Sequence, residues 1–150
     1  GLAIGIGVTM LQHCDFVHAG RSALFRAPFV DLGLCPEAAS SLLLPLLIGP
    51  RRAADILLAG EALNAEQALA CGLVSQVHDD AETEAQARAQ AERLARKPRE
   101  SVRLSKRLMR RYWHAAVMDT IDIERQAFAN RLKSDEAQAA LAAFFSRAKG

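Results

Sequence analysis

Two hydrophobic rhythms run along this chain. Up to about residue 78, short apolar runs are broken by glycine and proline; beyond it, apolar residues recur at three- and four-residue spacing among charges, the period of a helix face. The opening stretch GLAIGIGVTMLQHCDFVHA (1–19) predicts a strand end over residues 1–4 and a glycine turn at Gly5 and Gly7. A short buried helix follows through Val8, Met10, Leu11 and Cys14 and ends at Asp15. FVHA (16–19) reads as a short strand and SALFRAPFVDLGL (22–34) as an extended segment broken by Pro28 and Gly33. Strand, turn, helix, strand is α/β grammar.

Helices then dominate. One is expected from Glu37 to about Leu47, a second over RRAADILLAG closed by Gly60, and a third from Asn64 as N-cap to Gly72. LVSQV (73–77) alternates like a lone strand. After Asp79 and Asp80 the expected helices cover residues 81–97, the segment after Pro98, residues 113–132, and a last one opened by Ser134 as N-cap. The pattern divides the chain into an α/β core piece, residues 1–78, and a helical region, residues 79–150.

Composition adds bounds. A chain of 150 residues with 51% apolar content can build one core. Its net charge of +2 selects no partner. Cys14, Cys35 and Cys71 are far apart and odd in number, without CxxC or histidine at metal spacing, and are expected to be reduced, mostly buried thiols, Cys14 in the core. No stretch approaches the length of a membrane span, so no membrane role is expected. The chain opens on Gly1 directly in an apolar run, as though inside a domain.

Most candidate motifs are weak. The glycines before the first helix lack the spacing of a phosphate loop, but backbone N–H groups at such a turn can hold an oxyanion. His13, Cys14 and Asp15 are adjacent and therefore point apart on a helix, which argues against a nucleophile and base. Ser40 and Ser41 lack a nucleophile elbow. Arg103, Lys106, Arg107, Arg110 and Arg111 form a basic helix face, read as solvated; a phosphorylated ligand is an alternative, and nucleic acid has less support because no stacking aromatics accompany it. In LGLCPEAASSLLLPLLIG (32–49), Glu37 is a lone acid among apolar residues. It is either an acid at a helix start, after Pro36, or a carboxylate that is paired or used.

GLAIGIGVTMLQHCDFVHAG, PFVDLGLCPEAASSLLLPLLIG, RRAADILLAGEALNAEQALACGLVSQV and SDEAQAALAAFFSRAK, in this order, resemble the enoyl-CoA hydratase/isomerase (crotonase) family over essentially the whole chain. The resemblance implies the C-terminal part of a crotonase-like protomer: part of a spiral β-β-α core, then a helical trimerisation region. Family hydratases activate water with two glutamates, whose positions here are Thr9 and Phe29, so hydration by that route is not expected. The segment around Glu37 instead resembles the Δ3,Δ2-enoyl-CoA isomerases of fatty acid metabolism, in which one glutamate after a proline moves the proton.

By that resemblance Glu37 is the base, and the N–H of Ile6 is one oxyanion donor. Phe29, Leu32 and Leu34 line an acyl pocket or belong to the core. Asp31 is a second candidate acid, read first as a loop residue. Phe144 and Lys149 lie in a tail that resembles a cover over a neighbour's CoA site. The implied partner is an acyl-CoA thioester, and the implied assembly is a homotrimer or hexamer. No metal or redox cofactor is expected, because an enolate requires only a base and an oxyanion site. The alternatives are another crotonase-fold acyl-CoA enzyme, such as a hydratase or thioester hydrolase, and a non-catalytic truncated remnant or oligomerisation module. The composition and the Ala148-Lys149-Gly150 terminus, which is not a peroxisomal tail, lead to an expected cytoplasmic location.

Overall fold

The structure, a computed structural model, describes residues 1–147. The expectations that fall on residues 148–150, Lys149 among them, lie outside the described residues. Two small sheets carry the first half of the chain. In one, β1 (Leu2–Ile4) runs parallel to β3 (Leu24–Arg26), and β3 pairs antiparallel with β4 (Leu63–Asn64), in the order β1-β3-β4. In the other, β2 (His18–Gly20) runs parallel to β5 (Gln76–His78). Both parallel pairs need long crossovers, and the helices between them supply the cover. Phe25 and Leu63, opposite each other in the β3-β4 ladder, are buried in one core with Val8, Leu44, Ile56 and Leu73.

Local grammar sets several element ends. Between β1 and β2 the chain forms α1 (Ile6–Thr9) and a one-turn 3-10 helix over Leu11–His13. A second 3-10 turn covers Val30–Leu32, followed by α2 (Ser40–Ile48) and α3 (Pro50–Leu57), which pack on each other. Asn64 caps α4 (Ala65–Cys71) through a reciprocal capping box with Gln67, and Gly72 ends it at φ 84°. The second half is α5 (Thr83–Ala95), α6 (Arg99–Arg110), α7 (His114–Leu132) and α8 (Asp135–Arg147). Ser134 caps α8 by accepting from Ala137 N–H at 3.2 Å. No helix among the described residues is long and apolar enough to cross a membrane.

Three expectations need correction. The helix expected from Glu37 begins at Ser40, because Ala38 and Ala39 take left-handed conformations and no right-handed turn can run through them. The helix expected over Val8–Cys14 is split, ending as a 3-10 turn at His13. Cys14 is then extended and exposed rather than in the core. The strand expected over residues 73–77 occupies only Gln76–His78, since Leu73 and Val74 enter the core from a bend.

The second half docks on the first through a few specific contacts. Arg131 Nε donates to Gly33 O at 2.9 Å, and Gly33, at φ 67°, faces Ala137 so closely that a Cβ there would lie 2.8 Å from the Ala137 Cα. On α6, Lys106 and Arg110 bind both carboxylate oxygens of Asp15. Burial alone would raise the Asp15 pKa, but the Lys106 hydrogen bond and the charges of Arg110 and Lys106 outweigh it and hold it below its usual 3.8.

Gly33→Ala is expected to destabilise the protein by roughly 2–4 kcal/mol, the sum of a left-handed alanine and a forced shift of α8, measured by denaturant unfolding. The depressed Asp15 pKa makes the α6 contact fully effective above about pH 3.8 and progressively lost as pH falls through its lower folded value. Protease cleavage within α6 should rise across that acid window, and Asp15→Asn should show the same cleavage at neutral pH.

Candidate functional site

The glycine turn and the left-handed turn meet at one place. Gly5, at φ 57°, turns β1 into α1, whose first N–H groups, at Ile6 and Gly7, have no carbonyl one turn earlier to bond. One turn further on, Thr9 is fully buried, and its hydroxyl donates a short hydrogen bond to Glu37 Oε1. A charged acceptor makes such a bond stronger than a neutral pair. The residue standing at the first hydratase-acid position therefore holds the carboxylate of Glu37 instead of competing with it.

Glu37 leads into Ala38 (φ 58°) and Ala39 (φ 59°). A left-handed alanine costs about 1–2 kcal/mol, so two in succession persist only where neighbours over-determine the backbone. Both sides of the turn are held. Gln12 Nε2 donates to Ala38 O at 2.8 Å, and His13 Nε2 lies 2.7 Å from the same oxygen. A carbonyl only accepts, so this tautomer of His13 carries its proton on Nε2. From the other side, Glu124 of α7 accepts from Ala39 N–H at 2.6 Å, Ser41 N–H at 2.9 Å and Ser41 Oγ at 2.6 Å. Glu124 is only 6% exposed, and those three donors together with the positive end of α2 replace the water its charge has lost.

Glu37, Ala38, Ile6 and Phe29 line an open cavity of about 760 Å³, whose far wall is α7 with Ile121, Arg125, Phe128 and Leu132. The lining is mainly hydrocarbon. Phe29, at the second hydratase-acid position, is buried and packs edge-on against Phe128 with ring centroids 6.5 Å apart. The other expected residues are dispersed. Leu34 packs on the core. Leu32 and Phe144 share a different cavity of about 720 Å³ with Arg26, Asp31 and Arg147. Asp31 is paired with Arg26 at 2.9 Å there, away from the Glu37 cavity. His13 turns toward Ala38, whereas exposed Cys14 and Asp15 line a separate cavity along α6, so the three do not meet as a nucleophile and base. Among the described residues no three His, Cys, Asp or Glu side chains gather as metal ligands.

Thr9 and Glu124 are the residues of the candidate site that sequence reasoning missed. Thr9 stood out only as an absent acid. Glu124 had a usable signal: with Val117, Ile121 and Phe128 it falls on the inward stripe of α7, an acid on an apolar face like Glu37. Its charge reaches Cys35 as well, whose thiol pKa is raised first by burial and then by Glu124. Iodoacetamide should therefore modify exposed Cys14 well before Cys35, as read by peptide mass spectrometry.

The family model described as "Enoyl-CoA hydratase/isomerase" matches residues 1–150. Enoyl-CoA delta isomerase 2 of Rattus norvegicus is 35% identical over 147 residues, 98% of this chain and 38% of that protein. Enoyl-CoA delta isomerase 3, peroxisomal, of Mus musculus is 35% identical over 148 residues, 98% of this chain and 46% of that protein. The crystal structure of an enoyl-CoA hydratase/isomerase from Pseudoalteromonas atlantica superposes with a TM-score of 0.96 at 48% identity, covering 98% of this chain and 59% of that one. The chain thus spans less than half of the two isomerases and about three fifths of the solved relative. A glycine turn, a single carboxylate beside it, a crotonase fold and a match from end to end lead to one assignment: this chain belongs to the enoyl-CoA hydratase/isomerase family.

Proposed function

We propose that the Glu37 site moves the double bond of a 3-enoyl-CoA thioester to give the 2-trans-enoyl-CoA. The observation that carries the reading is the pairing of Thr9 with Glu37: one carboxylate, held by a hydroxyl, on the wall of an apolar cavity beside the glycine turn. The two similar curated proteins are named delta isomerases, which favours the same chemistry. Glu37 removes a proton from C2, and the electron pair of that C–H bond passes into a dienolate whose negative charge rests on the thioester oxygen. The Ile6 N–H stabilises that oxygen, as a preorganised backbone donor does for developing charge. The Glu37 acid then returns the proton to C4, leaving the double bond between C2 and C3.

The proposed step draws on a base and backbone dipoles alone, without a metal or redox group. Phe29, Phe128 and Leu132 are suited to the acyl chain. For the coenzyme A portion we propose the second cavity, where Arg26 and Arg147 accompany Leu32 and Phe144. Trp113, Tyr112, Met109 and Met118 leave exposed apolar surface around the α6-α7 junction, and we propose that it packs in a trimer or a pair of trimers.

With full-length protein and a 3-trans-enoyl-CoA, Glu37→Gln is expected to lower the rate of conjugated thioester formation about 10²–10⁴-fold, the usual worth of a positioned acid-base group. Thr9→Val, of similar shape, should cost about tenfold through the lost charged hydrogen bond. Absorbance of the conjugated product measures both. Isomerisation unchanged in Glu37→Gln, or 3-hydroxyacyl product from a parallel incubation with 2-enoyl-CoA, would overturn the assignment.

A further inference from the structure

We propose that Glu124 is a positioning residue for Glu37, holding the working carboxylate in place through the backbone of the Ala38-Ala39 turn; this rests on Glu37 being the base. Glu37 is two residues from Ala39, whose N–H is bonded to Glu124 at 2.6 Å, and one residue from Ala38, whose carbonyl is held by Gln12 and His13. The peptide units after Glu37 are thus gripped from opposite sides by α7 and by the turn after α1. Released, two successive left-handed alanines would relax toward right-handed backbone and swing Glu37 off Thr9. Glu124 also stands in for the missing side-chain cap of α2, since Ala39 at the cap position has no side-chain oxygen. The same helix supplies Ile121, Arg125 and Phe128 to the cavity wall, so one element fixes both the pocket and the orientation of its acid.

The experiment uses the protein with Glu124→Gln, which keeps the side-chain size but replaces one acceptor oxygen by an NH2 donor facing other donors. The crystal structure should show Glu37 away from Thr9, and amide exchange at Ala39 and Ser41 should quicken at least about tenfold. With 3-enoyl-CoA, kcat should fall about 10- to 100-fold while KM stays within about threefold, the mark of an interaction that serves the reacting step. Adding Ala39→Gly to E124Q removes the cost of one left-handed alanine; it should restore melting temperature while leaving kcat low. Recovery of both together would make Glu124 a stability residue only and overturn the proposal. So would Glu37 still bonded to Thr9 in E124Q, or kcat within about twofold of the parent. If E124Q does not fold, the E124Q/A39G protein is judged by the same structure and kcat criteria. If the parent protein isomerises no 3-enoyl-CoA, the isomerase reading fails alone. The position of Glu37 and the exchange at Ala39 and Ser41 then still decide whether Glu124 holds that side chain.

Discussion

The buried carboxylate of Glu124 on the N–H groups of Ala39 and Ser41 joins parts of the chain that would otherwise be independent. Without it, α2 begins with unbonded donors facing a nearly dry interior, and an alanine turn of unfavourable backbone has no anchor on that side. With it, α7 is fixed against α2, Phe128 meets Phe29, and the wall of the Glu37 cavity is closed along one side. Such a bond is expensive to leave unmade: the buried Ala39 N–H and the carboxylate facing it would both lack a partner.

Two acids at the same point of the fold do opposite work. Glu124 accepts from three donors and is nine-tenths buried, which suits a carboxylate that keeps its position. Glu37 is engaged through one oxygen by one hydroxyl and is only partly buried, which leaves it open to the cavity. The difference arises from what surrounds each side chain, not from the residue type. Thr9 is central to it: an acid in its place would set two like charges against each other, whereas a hydroxyl adds a donor.

Much of the local architecture was legible in the residues themselves. Asn64, Gly72 and Ser134 mark helix ends by chemistry contained within a few positions, and the structure puts caps and stops at those residues. The glycine turn before the first helix was legible for the same reason. Glu37 was legible as an anomaly, a lone acid among apolar residues. What escaped was set by distance along the chain. Glu124 lies 85 residues from Ala39, and no local pattern announces that a carboxylate from α7 would cap α2. The helix start at Ser40 was misplaced for that reason: Pro36 and Glu37 have good starting chemistry, but the left-handed Ala38 and Ala39 are imposed by tertiary contacts. Cys14 was misplaced because the helix period was extended through a 3-10 turn that ends at His13.

The Thr9 hydroxyl has a stereochemical consequence. It occupies Oε1 of Glu37, and in the proposed reaction the other oxygen, Oε2, carries the proton. A single oxygen on a turn gripped from two sides visits one face of a planar dienolate. In the proposed isomerisation, the hydrogen lifted from C2 and the one delivered to C4 therefore share that face.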